Sequence, residues 1–398
     1  MTSDRSPRIR PQRLASPLLT RRAMLGRMGA LTGAGLLGPS LLAACGGDDS
    51  GGSSGTTGGG GGDSKALWFE NWPGYIDEET VGLFTAASGL DFKYTEGFND
   101  NASWFAKNQA LLADKKAIGP DIVAPTYWMT GRLISLGWVQ ELPLDKIPNA
   151  ANLVPALQKP DWDPTGNFSL PYQSGMTGIA YNISVTGREL TSFADIFDPA
   201  FKGKVGMLTE WRDTVGLTML LLGEDPATAT IDRAAEALDK IEQAAKGGQV
   251  RQFTGNDYMD DLASGNFAAC VGWSGDISQL ALDNPDVRFA IPEEGGMQWS
   301  DTMVLPAGAE HVDNAAAWMD YIYDPENAAL ITEYVGYNSP VAGVQEILAA
   351  GDDLQKALSE SSLLFPDDDT LSRLHVFASL DEEAEAAFEE RFATIIGA

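Results

Sequence analysis

The sequence predicts an α/β fold in two domains, with a mostly parallel sheet carrying helices on both faces. Three observations carry this expectation. Short apolar runs of strand length alternate with segments of helical period. Alternation of that kind packs as strand, helix, strand with helices covering the sheet. At 398 residues the chain also exceeds what one core organises. Its 44% apolar and 9% aromatic content marks a folded protein.

Residues 1–44 read as an export segment. Seven arginines and one acid precede the glycine-rich apolar stretch Met28 to Ala44, too short and too rich in glycine for a stable membrane span. Thr20-Arg-Arg-Ala-Met-Leu25 resembles a twin-arginine motif, and the general export route stays open. Leu42-Ala-Ala-Cys45 resembles a bacterial lipobox, which makes Cys45 the expected lipidation site and mature N-terminus. Residues 45–64 then form a Gly/Ser-rich tether spanning on the order of 25 Å. A soluble body held at the outer face of a membrane, or in the periplasm, is the expected product.

The folded body starts near Lys65. Ala66–Asn71 reads as a strand, Asp77 to Ala87 as a helix capped near Asp77, and Leu90–Tyr94 as a second strand. A helical pattern over Ser103–Leu112 leads to the buried strand Asp121–Ala124 and a helix over Trp128–Leu136. In open α/β sheets, ligands sit beyond the carboxyl ends of the strands. The two earliest loops at those ends, Trp72-Pro-Gly-Tyr75 and Pro125-Thr-Tyr-Trp128, are unusually aromatic. Next come strands Phe168–Tyr172 and Gly178–Asn182, a capped turn over Thr191–Phe197 and the strand Lys204–Leu208. Thr209-Glu-Trp-Arg-Asp-Thr214 opens a helix reaching Leu222, so Glu210 and Asp213 serve either a ligand or the helix dipole. Ile231–Ala245 is an amphipathic helix and Phe267–Trp273 a buried strand ending in an aromatic. Helices over Asn314–Tyr323 and Pro325–Val335 precede Gly336-Tyr337, and acidic helices finish the chain.

The charge balance narrows function. With 27 basic and 56 acidic residues, the net charge of −29 repels nucleic acid and anionic lipid, although excess acid also serves solubility. Cys45 and Cys270 form no disulfide framework, and Cys270 sits in an apolar run as a small buried hydrophobe. Two histidines without a cysteine cluster leave no zinc, haem or imidazole-based centre to expect.

The most informative stretch is Glu294-Gly-Gly-Met-Gln-Trp-Ser-Asp-Thr-Met-Val-Leu-Pro306, with a short apolar strand after Ser300. Residues two apart in a strand share a face, so Trp299 and Asp301 address one volume. A ring face and a carboxylate together make half a socket for an ammonium group. An ordinary strand with a core Trp and a solvated Asp has the same local pattern.

Leu67-Trp-Phe-Glu-Asn-Trp-Pro-Gly-Tyr75, Asp121-Ile-Val-Ala-Pro125, Ser169-Leu-Pro-Tyr172, Thr191-Ser-Phe-Ala-Asp195, Glu294-Gly-Gly-Met-Gln-Trp-Ser-Asp301 and Gly336-Tyr337 resemble the spermidine/putrescine-binding proteins of bacterial ABC importers. The likeness runs in unbroken order from about residue 66 to 380. It implies a two-lobe periplasmic-binding-protein fold with a hinge and an interlobe ligand cleft. Lobe 1 is expected from 66–176 plus 300–345, and lobe 2 from 177–299 plus 346–398. It further implies a monomer that is not an enzyme, uses no cofactor or metal, and delivers a polyamine to membrane permease subunits. Carried over position by position, the stacking aromatics fall on Trp72, Tyr75, Trp273, Trp299 and Tyr337, with Trp128 beside the hydroxyl residue Thr126. The ammonium-binding carboxylates fall on Asp301, Glu210 and Asp213. Pro73 replaces a common hydroxyl residue, and an expected polar amide falls close to Phe377; both bear on which polyamine is bound.

Two other readings use the same residues. A binding protein for a quaternary amine, an iron complex or an organic acid is the first, but iron wants clustered Tyr, His or carboxylate ligands and an acid wants convergent Arg or Lys. Only Arg212 lies among the candidates. An exported hydrolase using Glu210, Asp213 and Asp301 is the second, and the body from Lys65 onward carries no G-x-S-x-G elbow or P-loop to support it.

Overall fold

The computed structural model describes residues 65–397. The expectations for the export segment, Cys45 and the tether lie outside those residues. The chain opens with β1 (Ala66–Asn71), α1 (Glu78–Ser88), β2 (Asp91–Glu96), α2 (Asn101–Ala113), β3 (Ile122–Val123), α3 (Tyr127–Ser135) and β4 (Val139–Gln140). Asp77 and Asp100 cap α1 and α2 by accepting from the amides of Thr80 and Ser103, so both helices begin where a carboxylate meets unpaired N–H groups. The middle of the chain holds β5 (Ser169–Asn182), α4 (Ile183–Thr186), β6 (Val205–Leu208), α5 (Trp211–Leu221), α6 (Ala235–Lys246), β7 (Val250–Thr254), α7 (Tyr258–Ser264), β8 (Ala269–Trp273), α8 (Ser274–Asp283) and β9 (Val287–Ala290). It ends with β10 (Gly296–Pro306), α9 (Val312–Ile322), α10 (Pro325–Val335), α11 (Val344–Ala349), α12 (Asp353–Ser359), α13 (Asp368–Ser372), β11 (Leu374–His375) and α14 (Glu382–Ile396).

The strands join in the order β2-β1-β3-β10-β5-β8-β6-β7, with β4 and β11 also on β10 and β9 on β5. Pairing is parallel at the two ends, where β1 meets β2 and β3 and where β6 meets β7 and β8. Through the middle it is antiparallel, because β5 and β10 run against each other and against β3 and β8. The sheet is therefore mixed rather than mostly parallel. A second difference concerns β5: the sequence reads as two strands, yet residues 169–182 form one strand with every position buried. The intervening residues 173–177 pair with residues 297–301 of β10, which keeps this polar, glycine-containing segment extended.

Two separate apolar cores flank that central pair. The first gathers Leu67, Phe69, Phe84, Met303, Trp318 and Leu348 among others, and the second gathers Ile179, Val205, Val215, Phe267, Phe388 and their neighbours. β5 contributes Leu170 and Tyr172 to the first and Ile179 to Tyr181 to the second; β10 contributes Met297 to the second and Met303 to Leu305 to the first. Each strand thus passes from one lobe to the other, the two-lobe arrangement that the resemblance implied. The last crossing lies further along than expected: Leu348, Leu358 and Leu364 pack in the first core, and only from Phe377 does the chain join the second.

Candidate functional site

The register of β5 and β10 slips where the strands leave the first core. Asp301 lies opposite Gln173 and Thr302 opposite Pro171, so Tyr172 is an extra residue on β5. A bulge of this kind bends the strand and re-aims neighbouring side chains, and Pro171, having no N–H, fits beside it. Asp301, 5% exposed, points inward there. Its carboxylate accepts from the hydroxyls of Tyr75 at 2.9 Å and Thr126 at 2.8 Å. Thr126 is the N-cap residue of α3 but makes no side-chain cap bond, because its hydroxyl is committed to Asp301.

From Thr126 the network crosses to the second lobe. The buried amide of Asn101 donates to Thr126 Oγ1 at 2.8 Å and to the Glu210 carboxylate at 3.3 Å. Glu210 precedes α5 and is partly exposed. Asp213, in the first turn of α5, accepts from the Thr177 hydroxyl at 2.9 Å and the Trp273 indole N–H at 3.0 Å. Burial pushes all three carboxyls up: Asp301 to about 7, Asp213 to about 6 and Glu210 to about 8. Hydrogen bonds oppose the rise at each, and Arg212 opposes it at Asp213 and Glu210. The charge of Asp213 adds to the rise at both Asp301 and Glu210, so the three acids share one field.

The rings form a wall beside these acids. Gly336, with φ +70°, ends α10 in the left-handed conformation and turns the chain so that Tyr337 follows directly. Tyr337 packs edge-on against Tyr75 at 5.4 Å and Trp299 at 5.2 Å, and its hydroxyl donates to Asp276 at 2.9 Å. Two glycines make room. A Cβ on Gly175 would lie 2.4 Å from the Trp299 ring, and one on Gly275 would lie 2.5 Å from the Tyr337 ring. Trp273 packs against both cores and edge-on to Tyr258 at 5.9 Å.

Not every expected residue takes the expected part. The Trp72 indole donates to the Ala124 carbonyl at 2.8 Å, while its ring lies against Phe98 in the first core. Trp128 presents its face to Arg212, whose guanidinium carbon is 3.5 Å from the ring centre. Phe377 is a core residue against Trp211 and Phe388. Sequence reasoning missed Asn101, Thr177, Tyr258 and Asp276. Asp276 accepts from both Tyr337 and Tyr258, the latter at 3.1 Å. Its signal was an acid three residues beyond Trp273, in the first turn of a helix that was not foreseen. Among the described residues no helix is long and apolar enough to cross a membrane.

Residues 80–358 match the model of the bacterial extracellular solute-binding protein family. The spermidine/putrescine-binding periplasmic protein 1 of Haemophilus influenzae is 26% identical over 308 residues, covering 76% of this chain and 81% of that protein. The putrescine-binding periplasmic protein of Escherichia coli is 27% identical over 343 residues, covering 81% and 89%. Among solved structures, a putative spermidine/putrescine ABC transporter from Listeria monocytogenes superposes with a TM-score of 0.74 at 27% identity, over 83% of this chain and 98% of that one.

Proposed function

The chain belongs to the bacterial extracellular solute-binding proteins, and from that premise we propose that it binds a linear polyamine between its lobes and passes it to the permease of an ABC importer. The observation that carries this reading is the set of Asp301, Asp213 and Glu210, drawn from both lobes and all hydrogen-bond acceptors when ionised, beside the rings of Tyr75, Trp273, Trp299 and Tyr337. A polyamine is a row of ammonium groups separated by methylenes. Each ammonium supplies the charge that a buried carboxylate lacks, and each methylene run suits a ring face. A desolvated cation–π contact contributes about 0.5–2 kcal/mol, and loss of a buried charge partner costs about 2–5 kcal/mol. The acids therefore govern which amine binds, and the rings govern its path.

In this reading Trp72 supports the wall from the core, Thr126 and Tyr75 hold Asp301 ionised once a cation arrives, and the chain is exported and anchored through Cys45. The relatives named for spermidine, putrescine or both support the polyamine class and leave both as ligands to compare. Calorimetric titration of the purified protein with putrescine and spermidine tests the proposal. Saturable heat with at least one of them is the expected result. No heat with either, alongside binding of an organic acid or sugar, would sink it.

A further inference from the structure

Helix α3 of the first lobe reaches the second lobe through three side chains. The Tyr127 hydroxyl donates to the Phe377 carbonyl at 3.4 Å, Arg132 pairs with Glu389 at 3.6 Å, and between them the Trp128 ring carries Arg212. Arg212 is 4% exposed and is sandwiched, with the Trp211 ring 4.1 Å away on α5. One Nη pairs with the equally buried Glu385 of α14, while Nε and the other Nη have no hydrogen-bond partner.

A guanidinium stripped of water with two nitrogens unsatisfied is costly, and ring faces are the remaining source of compensation. Trp211 and Glu385 belong to the second lobe and stay with Arg212 whatever the lobes do. Trp128 packs on the first core. Separating the lobes therefore strips Arg212 of one of its two rings and hydrates part of it. One face of Trp128, a residue expected at the ligand, is the seat of the chain's own cation.

We propose that Arg212 and Trp128 form a latch between the lobes, with Arg212 a positioning residue that holds α3 against α5 and sets how long a bound ligand stays. Glu210 and Asp213 flank Arg212 on the same turn, so a ligand held by those acids also fixes the base of the latch. That second half rests on the polyamine reading; the latch itself does not.

The test compares the full-length protein with Trp128→Ala, Trp128→Phe and Arg212→Lys. Lysine keeps the charge beside Glu385 and loses the planar stack. X-ray scattering of the ligand-free proteins reads lobe separation directly, and W128A and R212K are expected to show a larger radius of gyration than the wild type, with W128F restoring the wild-type value. Stopped-flow release of putrescine is expected to be roughly fivefold to thirtyfold faster in W128A, with association within about twofold of wild type and release largely restored in W128F. A packing role alone would lower the melting temperature without that split between release and association. Wild-type scattering and release in W128A and R212K overturn the latch. The scattering arm needs no ligand, so a protein that binds no polyamine would sink the functional reading and leave this one to stand or fall on lobe separation.

Discussion

Asp301→Asn separates the cost of the site from its use. Asp301 is 5% exposed and its carboxyl rises from 3.8 to about 7, chiefly through burial. At about 1.4 kcal/mol per pH unit, that difference amounts to about 4 kcal/mol held against the ionised form in the ligand-free fold. A carboxyl whose folded pKa lies above its unfolded value keeps its proton longer in the folded protein. Its contribution is therefore most favourable below about pH 4 and is lost as pH rises through about 7. Asparagine has the same shape, never ionises and keeps an acceptor for Tyr75 or Thr126. Ligand-free D301N should thus exceed the wild type in stability by about 1–4 kcal/mol at pH 8, with the gap closing toward pH 5. Putrescine at a hundred times its Kd stabilises the wild type by about 2.7 kcal/mol, and a tenfold weaker variant gains about 1.4 kcal/mol less at the same concentration. Thermal unfolding with and without putrescine at pH 5 and pH 8 measures all four quantities. A D301N protein that melts below the wild type at pH 8 without ligand, or gains as much from putrescine, refutes the reasoning.

Two further outcomes follow from the same geometry. Because Asp301 titrates near 7, its ionised fraction rises from about one in eleven at pH 6 to about nine in ten at pH 8, and Glu210, near 8, ionises over the same interval, so polyamine affinity should rise by at least about tenfold, with proton release detectable by calorimetry in buffers of different ionisation enthalpy. Gly275→Ala places a Cβ 2.5 Å from the Tyr337 ring; a loss of about 1–3 kcal/mol in stability and at least about tenfold in affinity is expected, and melting and titration curves matching the wild type would count against it.

Much of the framework was legible because the local signals agreed with the final packing. Asp77 caps α1, Ser192 and Asp195 form a capping box, and Trp299 and Asp301 do share a strand. β5 was harder to read, since its polar centre is kept extended by β10, more than 100 residues away, and no local pattern records such a partner. The same limit applies to the site. A period-two argument reaches Trp299 and Asp301, but Asn101 joins Thr126 to Glu210 only through contacts 25 and 109 residues apart. Trp128 shows the same limit: its strand-end loop marked it as an aromatic near the ligand, and the Arg212 that lies on its ring comes from the other lobe, which no local pattern records.

The chain builds neither half of the molecule from one continuous piece. The first core draws on residues 67–172 and again on 303–364, and the second on 179–297 and again on 377–395. During synthesis no half can be completed while the ribosome is still within the first three hundred residues, and the last helix must emerge before the second can close around Phe388 and Phe392. Assembly is thus governed by the arrival of the C-terminal quarter, and a truncation there would deprive both halves at once, including the part already made.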